Sequence, residues 1–508
     1  MSDSFSSKKL NSQFLSSFSL LLVVMAEKRA KTTLMVDEEE DRFYKLPDSL
    51  IQHILSFLST KEAVSTCLVS NRWKLMWYSV PKLSFSDFDR ANNQKKLYSY
   101  VNNYLEHRKR GMKFIPDSAI TSFKLHINCY QRSKSRDLDK WLAFIVNKKV
   151  KEINLRVNKK KTYRGDIHYY SLPKTLAVKA RYLTKLKLNS VELDSRYSFS
   201  FPSLKTLKLA CVRLADNDVV DKLLMGSPSL EKLQLRFYCQ SSDPQLRINL
   251  QHSLSLKSLR ITLSVDLVEK INVINLEFLS LMCVDFAKIR VSACKAIRIL
   301  NLSCYLGMED LSSLEYLISN LPLLEEFTFT KVHKWKLKHI EISNQHLVKL
   351  IVQNFFGEEL NVILKSTPKL TTVVYTGCIN LSVSMESSNL LFGTFVIHEG
   401  QENYDTDWFL DFTNFLLNLK CSWRSIDIHV KSDKALIFPE KLKRVCRSPL
   451  VDWKNLTFST EYELKRESNL KDALQWISPT LSLKKGRHFY KSSFKVFENF
   501  QKNKEAFF

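Results

Sequence analysis

The chain has 508 residues, 77 Lys and Arg against 52 Asp and Glu, and a formal net charge of +25, a balance that favours anionic partners and steers their approach. Nine Gly and twelve Pro are too few for a tight-turn-rich β architecture or long Pro-rich linkers, and ten scattered Cys without a C-x-x-C spacing argue against a disulfide framework or a zinc site and for reduced, mostly buried thiols. An apolar fraction of 44% and a charged fraction of 25% are those of a globular chain long enough for two or more structural units.

Lys8-Lys9 followed by LNSQFLSSFSLLLVVMA has the outline of a secretory leader, but its first half is polar and the run is too short and Ser-rich to span a membrane. Met25 opens a second plausible start, and Asp37 to Asp41 is an acidic run expected to be solvated. Residues 1–41 are therefore expected to form a disordered extension, with the chain working in the cytoplasm or nucleus and without a membrane.

Residues 46–77 carry the strongest local pattern. Pro47 suits a helix start and Asp48 complements the positive end of the helix dipole. Leu50, Ile51, Ile54, Leu55 and Leu58 then recur with period 3.6. Ser59-Thr60-Lys61-Glu62 is a capping box that opens a second helix. Ser70 can cap a third, which presents Trp73, Met76 and Trp77. Three helices in so short a span cannot bury these side chains among themselves. Some apolar surface must meet the rest of the chain or a partner.

Leu46-Pro47, the Ile54-Leu55-x-x-Leu58 stripe, Val69-Ser70, and Arg72-Trp73 followed by Trp77 resemble an F-box in the form abundant in plants. The resemblance implies docking on the Skp-family adaptor of a cullin-RING ubiquitin ligase. The adaptor-facing set it implies is Leu46, Pro47, Leu50, Ile54, Leu55, Leu58, Val69, Trp73 and Trp77, an apolar face with Pro and Trp as rigid anchors.

Beyond residue 90 an apolar-x-x-apolar-x-apolar template repeats. Copies start at Ile120, Val150, Leu183, Leu204, Leu230, Leu256, Leu276, Ile297, Leu324, Leu347 and Leu370, with weaker ones at Phe392 and Trp423. Most steps are 20 to 27 residues, the period and motif of leucine-rich repeats. Each copy predicts a short strand with its apolar residues inward, paired in parallel with the next. The segments 219–235, 314–329 and 360–375 each read as an amphipathic helix, a Pro-bearing turn and a strand. The expected fold is α/β: a three-helix F-box over 42–90, then a leucine-rich-repeat solenoid over 91–430. That solenoid is a curved parallel sheet with a helical or irregular convex side. Residues 431–508 are assigned to an irregular last repeat and a polar cap. An F-box followed by degenerate repeats is similar to the plant F-box/LRR group, in which the repeats recognise the substrate.

Charge is unevenly placed: residues 91–190 hold 24 Lys and Arg against 6 Asp and Glu, while residues 191–430 hold 24 against 26. The repeat register points Lys124, Arg156, Lys185, Lys187, Lys208, Lys232, Arg236 and Arg260 out of the inner face. Lys185, Lys187, Lys208, Lys232 and Arg236 are expected to form one ladder. This predicts a site for an acidic or phosphorylated segment, beside the alternative of a solvated face chosen for solubility. Nucleic acid would need interleaved aromatics; Tyr163, Tyr169 and Tyr170 are near, but no recognisable binding module is present. No nucleotide-binding, nucleophile-elbow or metalloprotease motif occurs, and the 11 His are isolated. The expectation is a non-enzymatic substrate adaptor of a cullin-RING ligase, without metal or cofactor. The alternative is an interaction scaffold for an anionic partner, whose F-box-like helices only cap the repeats.

Overall fold

The structure is a computed structural model. It describes residues 46–66, 71–87, 94–111, 119–159, 168–237, 248–250, 253–263, 268–282, 291, 293–304, 312–331, 339–354, 359–386, 389–398, 404–445, 456–460, 476 and 482–483. The expectations for residues 1–41, Val69, Ser70 and Tyr163 lie outside them. The chain forms two compact units, Met1–Leu256 and Lys257–Phe508. The mixed α/β architecture, helices first and parallel repeat strands after, is the one expected.

The first unit begins with helices α1 (Asp48–Phe57), α2 (Thr60–Ser65) and α3 (Asn71–Met76), then a 3-10 turn over Trp77–Ser79. Both arms of the Ser59/Glu62 capping box are made at the start of α2. An Arg72 to Asp48 ion pair ties α3 to the first turn of α1. Strand β1 (Lys82–Ser86) follows, then helix α4 (Gln94–Gly111), strand β2 (Ser122–Tyr130), helix α5 (Ser135–Asn147) and strand β3 (Glu152–Lys159). From there short elements alternate: β4 (Tyr170–Ser171), α6 (Lys174–Lys179), β5 (Lys185–Asn189), β6 (Val191–Leu193), β7 (Thr206–Ala210), β8 (Arg213–Leu214), α7 (Asp218–Met225), β9 (Lys232–Phe237) and β10 (Ile248–Leu250).

Strands β1, β2, β3, β5, β7 and β9 pair in that order, all parallel. Phe123, Ile153, Leu186, Leu207 and Leu233 stack as one inward row, and Leu125, Leu155, Leu188, Leu209 and Leu235 as a second. All are at most 2% exposed. At about 1.5–3 kcal/mol per buried side chain, these rows are what holds neighbouring repeats together. On the opposite side β4, β6 and β8 make a small parallel ladder of their own. Ser190 and Cys211, each immediately after a repeat strand, sit at φ 57 and 51. Their N–H groups donate to Ala210 O and Arg236 O, so a left-handed corner turns the chain while keeping the ladder bonded. Strand β1 was not foreseen; Leu83 and Phe85 bury inward from it.

In the second unit, β11 (Ser258–Leu263), β13 (Phe278–Met282), β14 (Ile299–Cys304), β15 (Glu326–Lys331), β17 (Lys349–Asn354), β19 (Thr372–Gly377), β21 (Leu391–Ile397), β23 (Trp423–Val430) and β24 (Leu456–Thr460) pair in parallel in that order, while β12 (Val268–Ile271) and β22 (Leu419–Lys420) lie outside that series. From Ile120 to Leu370, each of the eleven repeat starts is followed two residues later by a strand.

Two expectations fail here. Residues 360–365 are not helical. Leu360–Lys365 is strand β18, paired with β16 (His339–Ser343) and β20 (Leu381–Met385) in a second parallel sheet. The strict alternation of buried Leu360, Val362 and Leu364 with half-buried Asn361, Ile363 and Lys365, and the β-branched Val362 and Ile363, explain why. The copy at Phe392 is also misframed by two residues. Phe392 pairs with Thr372 on the outer face, and Gly393 takes the inward position beside Val373. A Cβ on Gly393 would sit 2.7 Å from the Phe395 ring and 2.8 Å from the Trp423 ring. Those rings fill the place a leucine holds in other repeats. The segments 219–235 and 314–329 do follow the expected helix-turn-strand order, through α7 and α8 (Ser312–Ser319).

Candidate adaptor face and basic sheet face

Helix α1 has two faces. Ile51 and Leu55 are fully buried, whereas Leu50 and Phe57 are 42% and 52% exposed. Leu50, Ile54 and Phe57 fall at i, i+4 and i+7, one stripe along the outer side. Pro47 is exposed, Leu46, Ile54 and Leu58 are half-buried, and His53 meets the Phe57 ring edge-on at 4.8 Å. Leu75 on α3 is 48% exposed. Leu55, Trp73 and Trp77 therefore depart from the expected adaptor-facing set, because their side chains are interior. Trp73 is 0% and Trp77 6% exposed, and Trp77 packs on Tyr104 of α4 at 5.0 Å between ring centroids. A period of 3.6 reports that a helix is apolar on a side, not which neighbour covers it. Phe57 and Leu75 were missed for the same reason.

The helices are anchored to the sheet at two points. The Thr60 hydroxyl accepts from the backbone N–H of Ser84, 2.6 Å away, on the edge of β1. Arg108, fully buried on α4, donates through Nη1 to Trp77 O at 2.9 Å and through Nη2 to Val80 O at 2.8 Å. These carbonyls close the 3-10 turn that leads into β1. Burial pushes the Arg108 guanidinium below its ordinary value, a cost offset by its two Nη bonds to backbone oxygens while Nε finds no partner among the described residues.

The outward positions of β2 to β9 form a grid of three rows. The first runs Ser122, Glu152, Lys185, Thr206, Lys232; the second Lys124, Asn154, Lys187, Lys208, Gln234; the third His126, Arg156, Asn189, Ala210, Arg236. The basic residues are thus not one ladder. A residue's row is fixed by its distance from the strand start, and Lys185, Lys187 and Arg236 sit at different distances. Lys185 pairs with Glu152 at 3.0 Å. Lys187 and Lys208 alone among the five predicted ladder residues are direct neighbours of like charge. Burial together with Lys124 and Arg156 pushes the His126 imidazole below its ordinary value, the response expected in a positive field. Arg260 belongs to the second unit, over the Phe278 ring at 5.5 Å. Tyr170, offered as a base-stacking candidate, is buried and donates to Asp139 Oδ1 at 2.6 Å. Tyr169 is half-buried beside it, under Arg213 at 6.0 Å.

Among the described residues no group of three or more His, Cys, Asp or Glu is placed to hold a metal ion. No described helix is long and apolar enough to cross a membrane.

Residues 43–85 match the family model of the F-box domain, and residues 138–305 match that of "FBD-associated F-box protein At5g56370, LRR repeats". Similar proteins of Arabidopsis thaliana include "Probable FBD-associated F-box protein At1g32375", 31% identical over 198 residues that make 39% of this chain and 44% of that one. "F-box/FBD/LRR-repeat protein At4g26340" is 30% identical over 193 residues, 38% of this chain and 43% of that one. "F-box/FBD/LRR-repeat protein At1g51370" is 28% identical over 248 residues, 48% and 51% respectively. The chain spans about two fifths to half of the length of the curated relatives it matches.

Proposed function

We propose that this chain, with its F-box domain and the leucine-rich repeats of FBD-associated F-box proteins, is a non-enzymatic substrate-recognition subunit of an SCF-type cullin-RING ubiquitin ligase. The carrying observation is the outer stripe of exposed Leu50 and Phe57 with half-buried Ile54, on helices whose other side is committed to the interior. In this reading the stripe, with Pro47 and Leu75, docks on a Skp-family adaptor. The repeats hold a target protein, and ubiquitin transfer gains from proximity alone. The chain works in the cytoplasm or nucleus, where that machinery operates.

Leu50→Asp with Phe57→Asp tests it. Both side chains face outward, so the fold is expected to survive while co-purification of the Skp-family protein is lost. Wild-type recovery of the adaptor by the double variant would refute the docking face. The second reading, a scaffold whose helices only cap the repeats, draws on the Thr60 and Arg108 contacts to β1 and Val80. It predicts no adaptor capture even by the unaltered chain.

A further inference from the structure

Where the strands of the first unit begin, the sheet carries cations that no carboxylate answers. Just before β3 stand Lys148, Lys149 and Lys151, and just before β5 stand Arg181 and Tyr182, all exposed. Backbone bonds hold these approaches side by side. Thr184 N–H donates to Lys151 O at 2.8 Å, and Lys205 N–H to Thr184 O at 2.9 Å. Lys149 Nζ stands 5.2 Å from the centre of the Tyr182 ring, which is 54% exposed. Among the described residues none of Lys148, Lys149, Lys151 and Arg181 is paired with a carboxylate. Glu152, next along the chain, is taken by Lys185 at 3.0 Å.

Elsewhere in this fold the same positions are arranged differently. One residue after later repeat starts, each cation has a carboxylate in the following repeat and bonds to it: Lys205 with Glu231 at 3.1 Å, Lys257 with Glu277 at 3.5 Å, and Arg298 with Glu325. Lys151 and Thr184 hold that position in the uncompensated stretch. Lys149 adds a backbone cost. It sits at φ 56 just past the end of α5, a position whose default residue is Gly, yet a Lys stands there with its side chain over an exposed ring.

We propose that this end of the sheet docks an acidic protein segment, a short run of Asp and Glu lying across the approaches to β3 and β5. The inference rests on the reading of the repeats as the target-binding part. It gives the chemistry of the target and places the contact at the strand starts rather than on the grid of outward positions. Charge complementarity selects the occupant. These cations have no ion pair of their own to break when an acidic partner arrives, and Tyr and Arg are the residue types that carry interface energy. The surface is short. Uncharged Thr121 before β2 and the paired Lys205 before β7 bound it, so it is about 14 Å wide, roughly four residues of an extended chain. One exposed ring in so short a stretch is not the succession of stacking platforms that single-stranded nucleic acid follows.

The test uses the full chain and a short fluorescent Glu-rich peptide at about 0.15 M salt, where distant charge is screened; a matched Gln-rich peptide is the control. Wild type is expected to bind the Glu-rich peptide at least tenfold more tightly than the control. Lys151→Gln with Arg181→Gln should remove most of that difference, and Tyr182→Ala should weaken binding several-fold. Lys149→Gly should also weaken binding while leaving the chain at least as stable in urea, because Gly suits the left-handed position; a purely structural role for Lys149 predicts unchanged binding. Lys187→Gln with Lys208→Gln, on the outward grid, should change binding less than twofold. Equal binding of the two peptides would overturn the proposal, as would loss of binding in the outward-grid variant but not in Lys151→Gln with Arg181→Gln. So would displacement of the peptide by an equal concentration of oligothymidine. A roughly tenfold gain in peptide affinity when the carboxylates of Asp37 to Asp41 become amides would overturn it too, assigning the surface to the chain's own acidic run. Adaptor capture is measured on the same samples. Its failure in every chain, with the Lys151- and Arg181-dependent binding intact, would remove the ligase reading and leave the acidic docking surface standing.

Discussion

Replacing Arg108 with Met should loosen the joint between the N-terminal helices and the repeats. The side chain is fully buried, and its two bonds hold the carbonyls of Trp77 and Val80. Met fills most of the volume but donates nothing, so two buried carbonyls lose a charged donor. Trp77 O keeps the Val80 N–H at 3.2 Å, so Val80 O is the group left orphaned; with the buried charge also gone, the net loss is about 1–3 kcal/mol. In a long repeat chain this loss appears as local opening rather than as one global transition. Hydrogen exchange followed by mass spectrometry should show amides of 71–87 and 94–111 exchanging roughly 5- to 150-fold faster, at 1.4 kcal/mol per factor of ten. Amides of β15 and β17 should be unchanged. Arg108→Lys, which keeps a charge and can reach one carbonyl, should fall between. Exchange in 71–87 within about twofold of wild type for Arg108→Met would refute the idea that these two bonds secure the joint.

Gly111→Ala should destabilise the same region by about 1–3 kcal/mol, because its Cβ would lie 2.3 Å from the Tyr78 ring; the exchange assay that reports on Arg108 reads it directly. Burial pushes the His398 imidazole down to about 4. The unfolded chain takes up that proton below about 6.5 while the folded one resists, so stability is lost as pH falls from 6.5 towards 4, by up to about 3 kcal/mol. His398→Gln should flatten that part of the pH profile in urea titrations read on the second unit. Val362→Thr on β18 should destabilise by about 1–2 kcal/mol, since it puts a hydroxyl where the side chain is 1% exposed; an unchanged midpoint of thermal unfolding would contradict the interior role of that second sheet.

The repeat strands were legible because their signal is local and redundant. A leucine at each inward position, between charged or polar residues, specifies strand, face and register together. Where that redundancy thins, reading fails. In residues 360–365 the apolar Ile363 blurs the alternation of Leu360, Val362 and Leu364, and pairing with β16 and β20 completes the strand. Phe392 looked like an inward residue because nothing in its own repeat reveals that the Trp423 ring already occupies the space beside Gly393. Ser190 and Cys211 hold left-handed corners without the Gly or Asn that would have announced them. At the candidate site the types of residue were legible and their relations were not. The rows separating Lys185 from Lys187 follow from counting within each strand, whereas the burial of Trp77 depends on α4. In the sequence Arg108 is only one of the 24 Lys and Arg of residues 91–190, and nothing nearby marks Trp77 and Val80 as its partners.

The Thr60 hydroxyl bonded to Ser84 N–H has a consequence for how this chain avoids misassembly. An uncovered edge strand is a template on which another chain can add its own backbone. Here the first edge of the repeat sheet is closed by the very helices that carry the proposed docking stripe. Any product lacking the residues before Val80, by proteolysis or alternative splicing, would lose the docking stripe and uncover an open edge in one step. Such a product should not persist as a benign competitor for targets, but self-associate through β1 and fall out of solution.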